Sequence, residues 1–145
     1  MAKPWIYADT SAFLKLFIKE AGTERMRRLA REHRLLSSTV IRVESRSALA
    51  RRQRDGELDE REFERVLLHL ADGLLAIELV RITDDILNLS SVIVLRLPVR
   101  TMDALHIASA IVFQERVDIA LTFVTADKKQ HEAAQREGLA TVLLS

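Results

Sequence analysis

Apolar positions along the chain keep two rhythms, and the rhythm switches repeatedly. The first run, "PWIYAD" (Pro4 to Asp9), is short, aromatic and β-branched, which predicts a buried strand. "TSAFLKLFI" changes to helical spacing, with Phe13, Leu16 and Phe17 on one face, until Gly22-Thr23 interrupts it. "ERMRRLAREHR" predicts a basic helix with Met26, Leu29 and Ala30 inward. "LLSS" (Leu35 to Ser38) is a very short strand, and "TVIRVESRSALARRQR" is a helix ending near Asp55-Gly56.

Asp59 and Glu62 fit an N-cap with its partner three residues on, opening a helix through about Leu75. "AIELVRIT" (Ala76 to Thr83) alternates as a strand does. "DDILNLSSVIVLRL" reads as a helix stopped by Pro98, although "SSVIVL" alone also fits a strand. "TMDALHIASA" (Thr101 to Ala110) begins the next helix. "IALTFVT" (Ile119 to Thr125) is a fourth strand, "KKQHEAAQRE" a helix ending at Gly138, and "LATVLLS" a last strand. Strands that alternate with helices or helical pairs argue for an α/β domain, with a mainly parallel sheet and helices on both faces.

A length of 145 residues suits one domain with a sizeable core and is too short for two. No apolar run approaches the roughly 18 residues of a membrane span, and the N-terminus has no secretory pattern. A chain with 48% hydrophobic and 30% charged residues is ordinary for a soluble protein. The absence of cysteine rules out disulfides and thiolate metal sites and fits a cytoplasmic, reducing setting.

The net charge of +1 hides an asymmetry: residues 1–56 carry 13 Lys+Arg against 6 Asp+Glu, and residues 57–145 carry 9 against 15. A basic first half suits a polyanionic partner, and it equally suits solvated helix faces.

Four acids stand in unusual places. Asp9 ends the first strand and Asp127 follows the fourth, where open parallel sheets keep their ligand sites. Glu44 has Val40, Ser47 and Ala48 as helical neighbours, on a small, apolar face rather than the Arg42/Arg46 face. Asp103 has His106, Ile107 and Ala110 beside it, in a segment that otherwise suits burial. Each also has a local explanation. Asp127 with Gln130 fits a helix cap, Asp103 suits a helix dipole, Asp9 suits a turn, and Glu44 suits a salt bridge. Gathered in one crevice, these carboxylates would repel one another, and a hard divalent cation removes that cost. Oxygen donors without cysteine or paired histidines favour Mg²⁺ or Mn²⁺ over Zn²⁺.

Competing motifs are absent: no phosphate loop, no GxGxxG, no HExxH and no GxSxG. "DTSAF" resembles the opening of haloacid-dehalogenase phosphatases, but Ser11 stands where they need a second acid. The four histidines are scattered, and His106 suits either a structural role or the orientation of a ligand.

In order along the chain, "IYADTSAFLKLF", "VIRVESRSAL", "TMDALHIASA", "FVTADKK" and "GLATVLL" resemble a PIN domain, most closely the VapC-type toxins of toxin–antitoxin pairs. The resemblance covers essentially the whole chain. It implies a three-layer α/β/α sandwich around a five-stranded parallel sheet in order 3-2-1-4-5, as a single PIN domain. It places the family's acids on Asp9, Glu44, Asp103 and Asp127, with hydroxyls at Ser11 and Thr125. Where some relatives carry a further acid, this chain has Lys128 and Lys129.

The implied activity is Mg²⁺- or Mn²⁺-dependent hydrolysis of RNA. Asp9, Asp103 and Asp127 would hold metal, and Glu44 would bind a second ion or act as base. Ser11 and Thr125 would position waters or phosphate, and the product would carry a 5′-phosphate. Arg42 and Arg46, with the Arg25 to Arg34 helix, are candidates for RNA backbone contacts. The implied partners are a second copy of the chain and a small antitoxin whose Arg or Lys enters the acidic groove. Surplus apolar residues on the Leu67–Leu75 and Ile86–Leu97 helices are candidate interface. The alternatives are a PIN nuclease of RNA processing or of DNA, and a non-catalytic PIN-like binding module.

Overall fold

The computed structural model of the protein describes residues 2–144. Its strands are β1 (Trp5–Ala8), β2 (Arg34–Ser38), β3 (Glu78–Val80), β4 (Leu121–Thr125) and β5 (Ala140–Leu143). They form one parallel sheet in the order β3-β2-β1-β4-β5, as the family resemblance implies. The helices are α1 (Thr10–Leu14), α2 (Thr23–Glu32), α3 (Ile41–Arg54), α4 (Glu60–Leu75), α5 (Asp84–Arg96), α6 (Thr101–Val117) and α7 (Lys128–Arg136).

Alternation along the central strands sends side chains to two cores. Tyr7 and Phe123 face a core shared with Ile86, Ile93, Ile107 and Ala134, from α5, α6 and α7. Ile6, Ala8 and Val124 face the other, with Phe13, Met26, Ile41, Leu49, Val66 and Leu70 from α1 to α4. Helices therefore cover both faces of the sheet, in three layers. Among the described residues, no helix is long and apolar enough to cross a membrane.

Three expectations change. The first helix stops at Leu14 instead of continuing to Ile18. Phe17 turns down onto α4, where a Cβ added to Gly73 would lie 2.3 Å from its ring, so the glycine makes room for the aromatic. The third strand is only Glu78–Val80, because it lies at the sheet edge and pairs with β2 alone. Thr83, expected within it, instead caps α5 by accepting the Ile86 N–H. "SSVIVL" is helical, within α5. The last strand spans Ala140–Leu143, and Ser145, its expected end, lies outside the described residues.

Candidate active site

β1 and β4 lie side by side in register, with Ala8 opposite Val124. The residues that follow them, Asp9 and Asp127, therefore emerge from the same edge of the sheet. α3 and α6 cross that edge and bring Glu44 and Asp103. Asp9, Glu44, Asp103 and Asp127 all line one cleft of about 250 Å³, with Thr10, Ser11, Arg51, Arg52 and His106.

Three of the acids also perform the local task their position suggests. Asp9 caps α1, its Oδ1 accepting the Ala12 N–H at 3.0 Å. Asp127 caps α7, accepting from Lys129 at 2.8 Å and Gln130 at 3.3 Å. Asp103 sits in the first turn of α6, its Oδ2 at 3.4 Å from the Arg100 N–H. Local capping and a shared cleft are thus compatible: each acid is held at a helix N-terminus, and those N-termini point at the same space.

Asp9 is the most tightly held. Ser11 Oγ donates to its Oδ1 at 2.7 Å, and Thr125 Oγ1 donates to its Oδ2. The same two hydroxyls accept backbone N–H groups, Ser11 from Ala126 at 2.9 Å and Thr125 from Asp127 at 3.0 Å. Ser11 and Thr125 therefore stitch the ends of β1 and β4 together and orient Asp9.

Glu44 lies on the flank of α3, half-buried; the fully buried face of that helix is Ile41, Ser45 and Leu49. It is therefore less inward than its sequence neighbours suggest, and Ser47 is exposed. Its Oε1 accepts from Thr10 Oγ1 and lies 2.6 Å from His106 Nε2, and His106 Nδ1 lies 2.7 Å from the Tyr7 hydroxyl.

Burial pushes the Asp9 carboxyl above the usual carboxylate range, against the pull of His106 and the hydrogen bonds from Thr125, Ala12 and Ser11. Burial also pushes Asp103 up. The Arg100 N–H and His106 oppose that rise, and the charges of Asp127 and Glu44 add to it. For Glu44, burial again acts upward. The hydrogen bond and charge of His106, the Thr10 hydroxyl and Arg51 outweigh it, so this carboxyl is held below its usual range.

The donor set is made of like-charged oxygens, two of them already penalised by burial, and this fits a hard divalent cation. Among the described residues no three such groups stand ready to grip one ion unaided.

The arginines differ from expectation. Arg42 and Arg46 border a separate shallow groove with Thr39, Val43 and Ser47, not the acidic cleft. Arg51 and Arg52 line the cleft, and Arg52 is paired with Glu20 at 2.9 Å. They stand seven and eight residues after Glu44, on the same helical stripe, so the spacing held this signal. Thr10 was missed because it reads as an ordinary first-turn residue beside Asp9.

A family model, the PIN domain, matches residues 6–136. A curated relative, Ribonuclease VapC46 of Mycobacterium tuberculosis (strain ATCC 25618 / H37Rv), is 32% identical over 139 residues, spanning 94% of this chain and 95% of its own. With sheet order and whole-length similarity in agreement, the chain belongs to the PIN-domain family, in its VapC branch.

Proposed function

We propose that this protein is a Mg²⁺- or Mn²⁺-dependent endoribonuclease and the toxin member of a toxin–antitoxin pair. The observation that carries this reading is the meeting of Asp9, Glu44, Asp103 and Asp127, from four separate stretches of chain, around one cleft at the sheet edge. The similarity to a protein named as a ribonuclease supports RNA as the substrate.

Asp9 and Asp103 would hold the ion, and Asp127 adds its charge from the same cleft. When bound, the ion polarises a phosphate oxygen and lowers the pKa of water. Glu44, kept ionised by His106, Thr10 and Arg51, accepts the proton of the attacking water. Ser11 and Thr125 hold Asp9 at a fixed angle throughout. Arg51, exposed at the cleft wall and in no ion pair among the described residues, is placed to meet the RNA backbone. Cleavage on the 3′-oxygen side leaves a 5′-phosphate.

The same carboxylates suit an antitoxin Arg or Lys, which would pair with them through charge-assisted hydrogen bonds and block the site. Leu68 and Leu75 on α4, and Leu87, Val92, Val94 and Leu95 on α5, are exposed apolar residues available to a protein partner or a second copy.

The test is cleavage of labelled RNA by purified protein with Mn²⁺, repeated with EDTA and with Asp9→Asn and Asp103→Asn. The expected outcome is cleavage by the wild type alone, and only with metal. Undiminished cleavage in both variants would contradict the site. Expression without a partner is expected to arrest growth, and co-expression of a neighbouring small open reading frame to relieve it. Normal growth would contradict the toxin assignment.

A further inference from the structure

One buried hydrogen-bond chain in the cleft wall has no part in the chemistry above beyond its influence on charge. Tyr7, in β1, is fully buried, stacked on Phe123 at 5.3 Å and edge-on to His106 at 5.7 Å. His106 is buried too, in α6, and spans the gap between the Tyr7 hydroxyl (2.7 Å from Nδ1) and Glu44 Oε1 (2.6 Å from Nε2). Thr10 Oγ1 donates to that same Oε1. Glu44 Oε2 has no hydrogen-bond partner among the described residues. Side chains from two elements, α1 and α6, thus converge on one oxygen of one carboxylate and leave the other unengaged.

The direction of each bond follows from the inventory of donors. An ionised carboxylate only accepts, so His106 Nε2 carries a proton. With the ring singly protonated on Nε2, Nδ1 is an acceptor, and the Tyr7 hydroxyl at 2.7 Å donates to it. Ser37 donates to the Ala8 carbonyl and Ser109 to the Leu105 carbonyl, so neither serine spends its proton on the Tyr7 oxygen. Tyr7 therefore fixes the ring tautomer that suits Glu44.

We infer that His106, locked by Tyr7, is a positioning residue: with Thr10 it pins Glu44 Oε1 and leaves Oε2 as the unengaged oxygen of that carboxylate, free to accept a proton. This rests on the nuclease reading of Glu44. His106 does not touch substrate in this scheme. It restricts a long, flank-lying side chain to one orientation before RNA arrives.

The test compares wild type, Glu44→Gln, His106→Leu, His106→Gln and Tyr7→Phe in RNA cleavage at saturating Mn²⁺. In parallel, the imidazole ¹⁵N resonances of the metal-free wild type and of Tyr7→Phe are recorded. His106→Leu is expected to lower kcat about 10- to 100-fold, with KM within about twofold of wild type. His106→Gln, which offers a donor where Nε2 stood, recovers most of that loss. Tyr7→Phe gives a smaller loss of kcat and a mixed tautomer. In the wild type the ring proton is expected on Nε2.

A proton on Nδ1 in the wild type, or wild-type kcat in His106→Leu, overturns the inference. So does a loss in His106→Leu that His106→Gln fails to recover. If His106→Leu does not fold, Tyr7→Phe and the tautomer measurement decide alone. Full activity in Glu44→Gln would instead break the nuclease reading of Glu44. A dead Glu44→Gln beside a fully active His106→Leu breaks only the positioning role.

Discussion

The two ends of the sheet are built on opposite chemistry. At the carboxyl ends of β1 and β4, carboxylates, hydroxyls and one imidazole share about 250 Å³. At the other end, Trp5, Phe13, Phe17, Arg34 and Ile77 line a larger groove of about 440 Å³, with Gly73 at its floor. There the Arg34 guanidinium lies 3.9 Å over the Trp5 ring, and Phe13 meets Phe17 edge-on at 5.0 Å. The aromatic end holds its groups by packing, and each is satisfied where it stands. The acidic end keeps groups that burial penalises and that repel one another. The proposed site is the smaller cavity, because chemistry follows the unresolved charge and not the volume.

Substitutions can break this contrast. The largest expected effect is on rate: Asp103→Asn or Asp9→Asn should lower RNA cleavage by about 10²- to 10⁴-fold with the fold intact, measured by initial rates beside circular dichroism. Next is a stability effect at the aromatic end. Gly73→Ala gains about 1 kcal/mol of helix propensity, but the new Cβ meets Phe17, so a net loss of about 1–3 kcal/mol is expected in urea unfolding. The activity of the folded fraction should be unchanged.

A smaller effect, of opposite sign, sharpens the comparison at the acidic end. Asp9→Asn should raise the melting temperature of metal-free protein, equivalent to about 1 kcal/mol, because it removes a buried charge. Mn²⁺ should stabilise the wild type and leave this variant nearly unmoved. A lowered melting temperature in metal-free Asp9→Asn would mean that the carboxylate is already compensated.

The smallest effect concerns Glu20, which joins Lys15 at 3.2 Å and Arg52 at 2.9 Å beside the cleft. Burial acts upward on its carboxyl, and the hydrogen bonds and charges of Arg52 and Lys15 prevail, so its folded pKa lies below the usual range. A depressed folded pKa means stability that is present above the unfolded value and lost as pH falls through the folded one. Glu20 is half-buried and solvent still screens its pairs, so the contribution is at most about 0.5 kcal/mol. Glu20→Gln should flatten the acid limb of the stability curve by that amount and leave neutral-pH unfolding of the remaining fold cooperative.

Much of the acidic end is legible in the chain itself. Asp9 and Asp127 stand directly after apolar strand runs, and strand ends in a parallel sheet point to one edge. The neighbourhood of those two strands is not in the local pattern, since pairing across more than a hundred residues leaves no periodic trace; it came from the family resemblance. Helix phase was harder. Glu44 lies on the flank of α3, and a rotation of a fraction of a turn separates Arg42 and Arg46 from Arg51 and Arg52. The short β3 and the early stop of α1 depend on an edge position and on one ring crossing Gly73, both tertiary facts. His106 was visible one turn after Asp103, but its partners Tyr7 and Glu44 lie 99 and 62 residues away in sequence.

The most direct measurement of the central claim is binding of Mn²⁺ to the metal-free protein, followed by electron paramagnetic resonance or calorimetry. The account predicts a saturable site in the wild type that is strongly weakened in both Asp9→Asn and Asp103→Asn. Equal binding by wild type and both variants, or no saturable binding to the wild type, would contradict it.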